Sequence, residues 1–264
     1  MLEKAVMRRF FLSDSIRSDD RVILTGAEAR HIASVCRLKA GHKVELFDGE
    51  GNVYTTVLET VDKNSVTLVI EEARFEITVE QSPLTLAQGL LKGKKMDLVI
   101  QKATELGVHT FLPLESRYCE NQGARNRQLE RWQRISIEAC KQCHRTAPMR
   151  ILPVTPLAQA DFSIFRHRLV AYEDEKISAL PQHLSKQPGA ICLVLGPEGG
   201  LHAEDLHVLQ QWNFTVFSLG RLILRAETAA LAATAIVRYL SGGLEPVDRQ
   251  LSTDHPSPEM ENLV

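Results

Sequence analysis

What this 264-residue chain lacks narrows its class before any motif is read. No apolar run approaches the roughly 18 to 20 residues of a membrane span, because Arg238 closes the longest candidate, Ala229 to Val237. A secretory signal is not expected either: Met1 to Arg9 carries Glu3, Lys4, Arg8 and Arg9, and no apolar core segment follows. The chain is expected to work in the cytosol. Its five cysteines, at 36, 119, 140, 143 and 192, are odd in number and scattered, so no disulfide framework is expected. Cys140 and Cys143 form one C-x-x-C, but no second pair follows to complete a zinc site, and no metal is expected. The nucleotide fingerprints G-x-G-x-x-G and G-x-x-x-x-G-K-[ST] are both absent.

What is present is ordinary globular material, 44% apolar and 24% charged, long enough for one large or two modest domains. The net charge of −2 is unevenly spread: residues 1–73 carry 10 Lys/Arg against 12 Asp/Glu, residues 74–243 carry 20 against 16, and residues 244–264 carry one against five. Between Arg117 and Arg150 there are eight basic and three acidic residues, an excess that suits either a polyanion or a solvated helix face.

From Arg21 to Ile70, short apolar runs alternate with turn signals, which predicts strands at Val22–Leu24, Lys43–Phe47, Asn52–Tyr54 and Ser65–Ile70, a small barrel or meander. A helix is predicted from Gly26 to Arg37 with Thr25 as its N-cap. After Pro83 the text alternates. Strands are predicted at Leu84–Gln88, Thr110–Leu114, Leu169–Tyr172, Ile191–Leu195 and Phe214–Leu219. Helices are predicted at Asp97–Leu106, Arg127–Cys143, Ala203–Trp212 and Glu227–Leu240. That order predicts an α/β domain with a mostly parallel sheet. The expected division is 1–73, 74–243 and an acidic, disordered tail at 244–264.

Two loops stand out. The strand ending at Leu195 runs into Gly196-Pro197-Glu198-Gly199-Gly200, where glycines would let a ligand touch the backbone at the carboxyl end of a sheet, or would merely shape a tight turn. Leu219-Gly220 leads through Arg221-Leu222-Ile223-Leu224-Arg225 into an alanine-rich helix. Arg225 and Glu227, charged beside apolar neighbours, need partners there: each other or a helix end.

Leu195 to Leu201 and Leu219 to Ala229 together resemble the bacterial small-subunit ribosomal RNA uracil-N3 methyltransferases, members of the SPOUT superfamily. The likeness extends through Met7-Arg8-Arg9-Phe10-Phe11, the stretch from His31 to Gly41, Phe47 to Gly51, Lys92 to Asp97, Gln101 to Val108 and Glu138 to Arg145. Two positions depart from it: Ala226, where threonine is frequent, and His144, where glycine is common.

The resemblance implies a PUA-like β-barrel, then an α/β methyltransferase domain with a C-terminal trefoil knot, and a homodimer. It implies S-adenosylmethionine as methyl donor, held by Leu195, Gly196, Pro197, Glu198, Gly199, Gly200, Leu219, Gly220, Leu222, Ile223, Leu224 and Thr228. Removal of the uracil N3 proton needs a base or a stabilised anion, which puts Glu198 or Glu227 forward as base and Arg225 as the neutralising cation. Arg8, Arg9, Arg30, Arg37, Lys92, Lys94, Lys95, Arg125, Arg127 and Arg145 are the candidate contacts to ribosomal RNA or an assembled 30S subunit. Phe10 and Phe11 are read as core packing, with base stacking as the alternative. The rival readings are a non-catalytic RNA-binding module and a methyltransferase for transfer RNA or a ribose hydroxyl.

Overall fold

The computed structural model describes residues 7–12, 15–18, 20–76, 80–119, 125–173, 184 and 187–245. The tail read as disordered lies beyond them, apart from Leu244 and Glu245. The described residues form two compact units. One is drawn from Met1–Thr78 with His144–Ala147, the other from Val79–Cys143 with Pro148–Pro246.

The first unit is a six-stranded mixed sheet. Its strands are β1 (Arg9–Phe11), β2 (Ser15–Ser18), β3 (Arg21–Thr25), β4 (Lys43–Phe47), β5 (Asn52–Val61) and β6 (Ser65–Phe75), in the order β1-β4-β5-β6-β3-β2. All pairs are antiparallel except β1 with β4. Alternation sets the core: Val22 and Leu24, Val44 and Leu46, and Val66 and Leu68 are buried together with Phe10 and Ile32. The predicted helix at Gly26–Arg37 is broken in two. A single α-turn, α1 (Gly26–Arg30), gives way to a π-turn over His31–Val35, closed by Cys36 N–H donating to the His31 carbonyl at 2.8 Å. Thr25 occupies the N-cap, but its side chain makes no capping bond. Beyond the π-turn, Arg37 adopts φ +51, a left-handed conformation rare for a residue with a Cβ.

The second unit places a parallel sheet between helices. It contains β7 (Leu84–Gly89), α2 (Lys94–Glu105), β8 (Thr110–Glu115), α3 (Arg125–Cys143), β9 (Arg150–Ile151), β10 (Thr155–Pro156), β11 (His167–Ala171), β12 (Ile191–Leu195), α4 (Ala203–Gln211), β13 (Thr215–Phe217) and α5 (Ala226–Leu240). The strand order is β10-β8-β7-β12-β11-β13, with β9 beside β8 and every pair parallel. Both faces are covered, so β12 reads as an unbroken apolar run. Ile191, Leu193 and Leu195 join the core formed with α2, Trp132 and α5, whereas Cys192 and Val194 join the core that holds Phe162 and Leu209. Burying each of these Ile, Leu and Val side chains stabilises by about 1.5–3 kcal/mol.

The alanines of α5 allow close approach, since Ala230 and Ala233 are fully buried in the same core as Val99 and Ala103 of α2. The far end of α5 is fixed by Arg238, which is 4% exposed and donates to both carboxylate oxygens of Glu80 at 2.9 and 3.0 Å and to the Gly243 carbonyl at 2.8 Å. His144, just past α3, holds φ +62. All five cysteines are free thiols. No helix among the described residues is long and apolar enough to cross a membrane.

Candidate methyl-donor site

The order β12-β11-β13 brings the carboxyl ends of three neighbouring parallel strands to one edge of the sheet, the place where open α/β sheets bind ligands. A crevice with a cavity volume of about 140 Å³ opens there, walled by Leu195–Glu198 and Gly200 after β12, Ser218–Leu224 after β13, and Ala171–Glu173 after β11, with Ala226 and Ala229 of α5.

Absent side chains shape the first loop. A Cβ on Gly196 would lie 2.9 Å from the carbonyl carbon of Gly200, and one on Gly89 of β7 would lie 2.6 Å from both Cδ and N of Pro197. Two backbones therefore touch where any larger residue would separate them. Gln88, fully buried at the end of β7, donates its amide to the carbonyls of Gly89 and Gly196 at 3.0 and 2.9 Å. The second loop turns at Gly220, φ +110, with the Ser218 hydroxyl donating to the Gly220 carbonyl and accepting from its N–H, each at 3.2 Å. Leu222 and Ile223 are 80% and 90% exposed at the crevice mouth.

Of the donor-site residues read from the sequence, Gly199 and Thr228 do not reach the wall. A Cβ on Gly199 would face Tyr118 instead, at 3.0 Å. The wall also includes Ala171, Tyr172, Glu173, Ser218, Arg221, Ala226 and Ala229, which the sequence reading did not name as donor-site residues. The end of β11 carries no glycine signal, and the two alanines are legible only once helical periodicity is phased against the loop.

The three charged candidates part company. Glu198 lines the crevice, but its carboxylate accepts from the Lys92 N–H at 3.0 Å and the Lys95 ammonium at 3.1 Å. Partial burial works to raise its pKa, and these hydrogen bonds outweigh that effect and hold it below the usual carboxylate value. Arg225 and Glu227 do not pair with each other. Arg225 is the exposed N-cap residue of α5, and Glu227 buries Oε2 without a hydrogen-bond partner among the described residues. Both flank crevice residues, Leu224 and Ala226, without lining the crevice themselves.

The basic candidates are equally unequal. Arg9 is 5% exposed and turned inward, paired with Glu45 and stacked 4.8 Å over the Phe47 ring, so its charge serves the first unit's interior. Arg8 and Arg30 are exposed but donate to the Cys36 and Gly26 carbonyls at 3.3 and 3.1 Å. Arg37, Lys92, Lys94 and Arg127 are exposed, Lys95 is engaged by Glu198, and Arg145 is half-buried. Arg125 opens α3, and its side chain lies outside the described set. Phe10 is core, 1% exposed, and Phe11 packs against Phe47.

Comparison with known proteins agrees with this architecture. Residues 79–238 match the family described as RNA methyltransferase domain, and residues 24–71 match RNA methyltransferase PUA domain. The Bacillus subtilis protein named ribosomal RNA small subunit methyltransferase E is 31% identical over 88% of this chain and 96% of its own length. That of Rickettsia conorii is 30% identical, covering 90% and 98%. The crystal structure of ribosomal RNA small subunit methyltransferase E from Neisseria gonorrhoeae bound to S-adenosyl methionine is 30% identical, covers 89% of this chain and 98% of that one, and superposes with a TM-score of 0.78. By domain content, sequence and fold, the chain belongs to the ribosomal RNA small subunit methyltransferase E family.

Proposed function

We propose that this chain methylates N3 of a specific uracil in small-subunit ribosomal RNA, with S-adenosylmethionine as donor. The observation that carries the proposal is the meeting of both glycine-bearing loops, read separately in the sequence, on one crevice at the carboxyl edge of a parallel sheet. The names and bound ligand of the similar proteins point the same way.

The crevice suits this donor. Bare backbone at Gly196 and Gly220 lets main-chain groups of Leu195, Gly196, Leu219 and Leu224 hold adenine and ribose, and Leu222 and Ile223 supply an apolar wall. When bound, the donor supplies an electrophilic methyl on sulfur. The chain's own task is to orient the acceptor and manage its charge. Arg225, exposed beside the crevice and without a side-chain partner among the described residues, neutralises the uracil anion. Glu227, with a carboxylate oxygen left unsatisfied, is the better base, because Glu198 is committed to Lys92 and Lys95.

Three finer features belong to the same reading: closure of the first sheet into a PUA-like barrel, a trefoil knot in the second unit, and a homodimer acting on ribosomal RNA or the 30S subunit in the cytosol. The exposure of Leu222, Ile223 and Tyr239 supports a second copy as cover. The deciding experiment is mass-spectrometric mapping of modified nucleosides in small-subunit ribosomal RNA from cells with and without this protein. Loss of one N3-methyluridine, restored by the wild-type gene, is expected; an unchanged map overturns the proposal.

A further inference from the structure

On the first unit, cations are for the most part spoken for. Arg9 and Arg74 pair with Glu45, Arg21 pairs with Glu59 at 2.9 Å, and Lys43 pairs with Glu71 at 2.6 Å. Arg17 donates to the Tyr54 hydroxyl at 2.9 Å. One place differs. A shallow, open groove runs between the end of the π-turn with the segment after it, residues 33–40, and the end of β5 with the turn into β6, residues 61–63. Its wall carries Arg37, Lys39 and Lys63, all exposed, and among the described residues their side chains make no hydrogen bond or ion pair. Asp62 is the single acid beside them. Locally the groove is positive, although residues 1–73 carry a net −2.

Backbone geometry adds a second, independent observation. Arg37 sits at φ +51, where glycine would be at ease, and it is held there by the closed turn around it: Leu38 N–H donates to the Ile32 carbonyl at 3.1 Å, and Gly41 N–H to the Leu58 carbonyl at 2.8 Å. A charged side chain on left-handed backbone, lining a groove with two further cations that have no partner among the described residues, is an arrangement that stability alone does not favour.

We infer that this groove is a seat for the RNA phosphate backbone, contacted by Arg37, Lys39 and Lys63. Phosphate contacts position a nucleic acid without reading its bases, and long, unpaired, solvated cations on a concave wall do that work. The site deepens the proposed function and rests on its assignment of RNA as substrate. Lys39 and Lys63 become substrate-positioning residues, and the sequence motifs had singled out only Arg37.

The test uses the full chain and an in vitro transcript of small-subunit ribosomal RNA. Binding of the wild type and of the triple variant Arg37→Gln, Lys39→Gln, Lys63→Gln is measured across a salt series. The variant is expected to bind at least about tenfold more weakly, and its log–log salt slope should be shallower by about two, given about 0.7–0.9 per phosphate contact. Its affinity for S-adenosylmethionine by calorimetry should stay within about twofold of wild type. Arg37→Gly separates structure from binding: relief of the left-handed backbone keeps or raises the thermal midpoint while RNA affinity falls. Unchanged RNA affinity and salt slope in the triple variant overturn the inference. A wild type whose RNA binding depends on the groove but which transfers no methyl group would sink the proposed reaction and leave the groove standing.

Discussion

Gln88 and Gly196 are joined by a side-chain amide donating to a main-chain carbonyl at 2.9 Å, across the boundary from β7 to the crevice loop. Pro197 follows Gly196 and has no N–H, so this peptide unit has only its carbonyl to be anchored by. Under the proposed function, Gln88 is a positioning residue for the donor crevice. Gln88→Leu should weaken S-adenosylmethionine binding about tenfold or more by calorimetry, raise the donor KM more than it lowers kcat, and cost about 1–3 kcal/mol for a buried carbonyl left unsatisfied. Gln88→Glu can donate only when protonated, so its donor affinity relative to wild type should recover as pH falls. A flat ratio would show that the amide has no positioning role.

Arg225→Ala should reduce kcat about a hundredfold while the donor dissociation constant changes less than about threefold, as expected for a cation that meets charge only as the acceptor ionises. Parallel losses in both quantities would make Arg225 part of the donor pocket's structure instead.

Glu198 links stability to pH. Its carboxyl sits below the usual value because its hydrogen bonds with Lys92 and Lys95 favour the charged form, which overcomes the opposing effect of burial. The sign follows: the contribution is fully present above the unfolded-state pKa, near 4.5, and is lost as pH falls through the lowered folded-state value. The gap in thermal midpoint between wild type and Glu198→Gln should accordingly narrow from pH 6 to pH 3.

His144 closes α3 in a left-handed conformation, φ +62. Glycine is the residue that conformation favours, so His144→Gly should stabilise by about 1 kcal/mol and raise the thermal midpoint by about 2–4 °C. A lower midpoint would mean that the imidazole contributes more than the backbone loses.

The strand Ile191–Leu195 was legible to the residue because its apolar run and following glycine state both its burial and its end. β5 and β6 run on to Val61 and Phe75, beyond the predicted limits, because exposed Glu59, Glu71 and Glu72 interrupt the apolar signal without interrupting the ladder. β1 was not predicted as a strand: three residues pairing in parallel with β4 leave no local pattern. α2 begins at Lys94, three residues earlier than its apolar period suggests, with Gly93 at φ +57 as its N-cap residue. Within the crevice, the two glycine-bearing loops announce themselves, whereas Ala171–Glu173 enter only because β11 lies between β12 and β13. That adjacency is a property of strand order, which no local spacing encodes.

α5 departs from the crevice and terminates at the Arg238–Glu80 clamp, so one end is bolted while the other carries the crevice loop. Transient opening should then be graded along the helix, with the amides of Ser218 to Ala229 exchanging with solvent long before those near Val237. Saturating the protein with donor should slow deuterium uptake in the former stretch and leave the latter untouched.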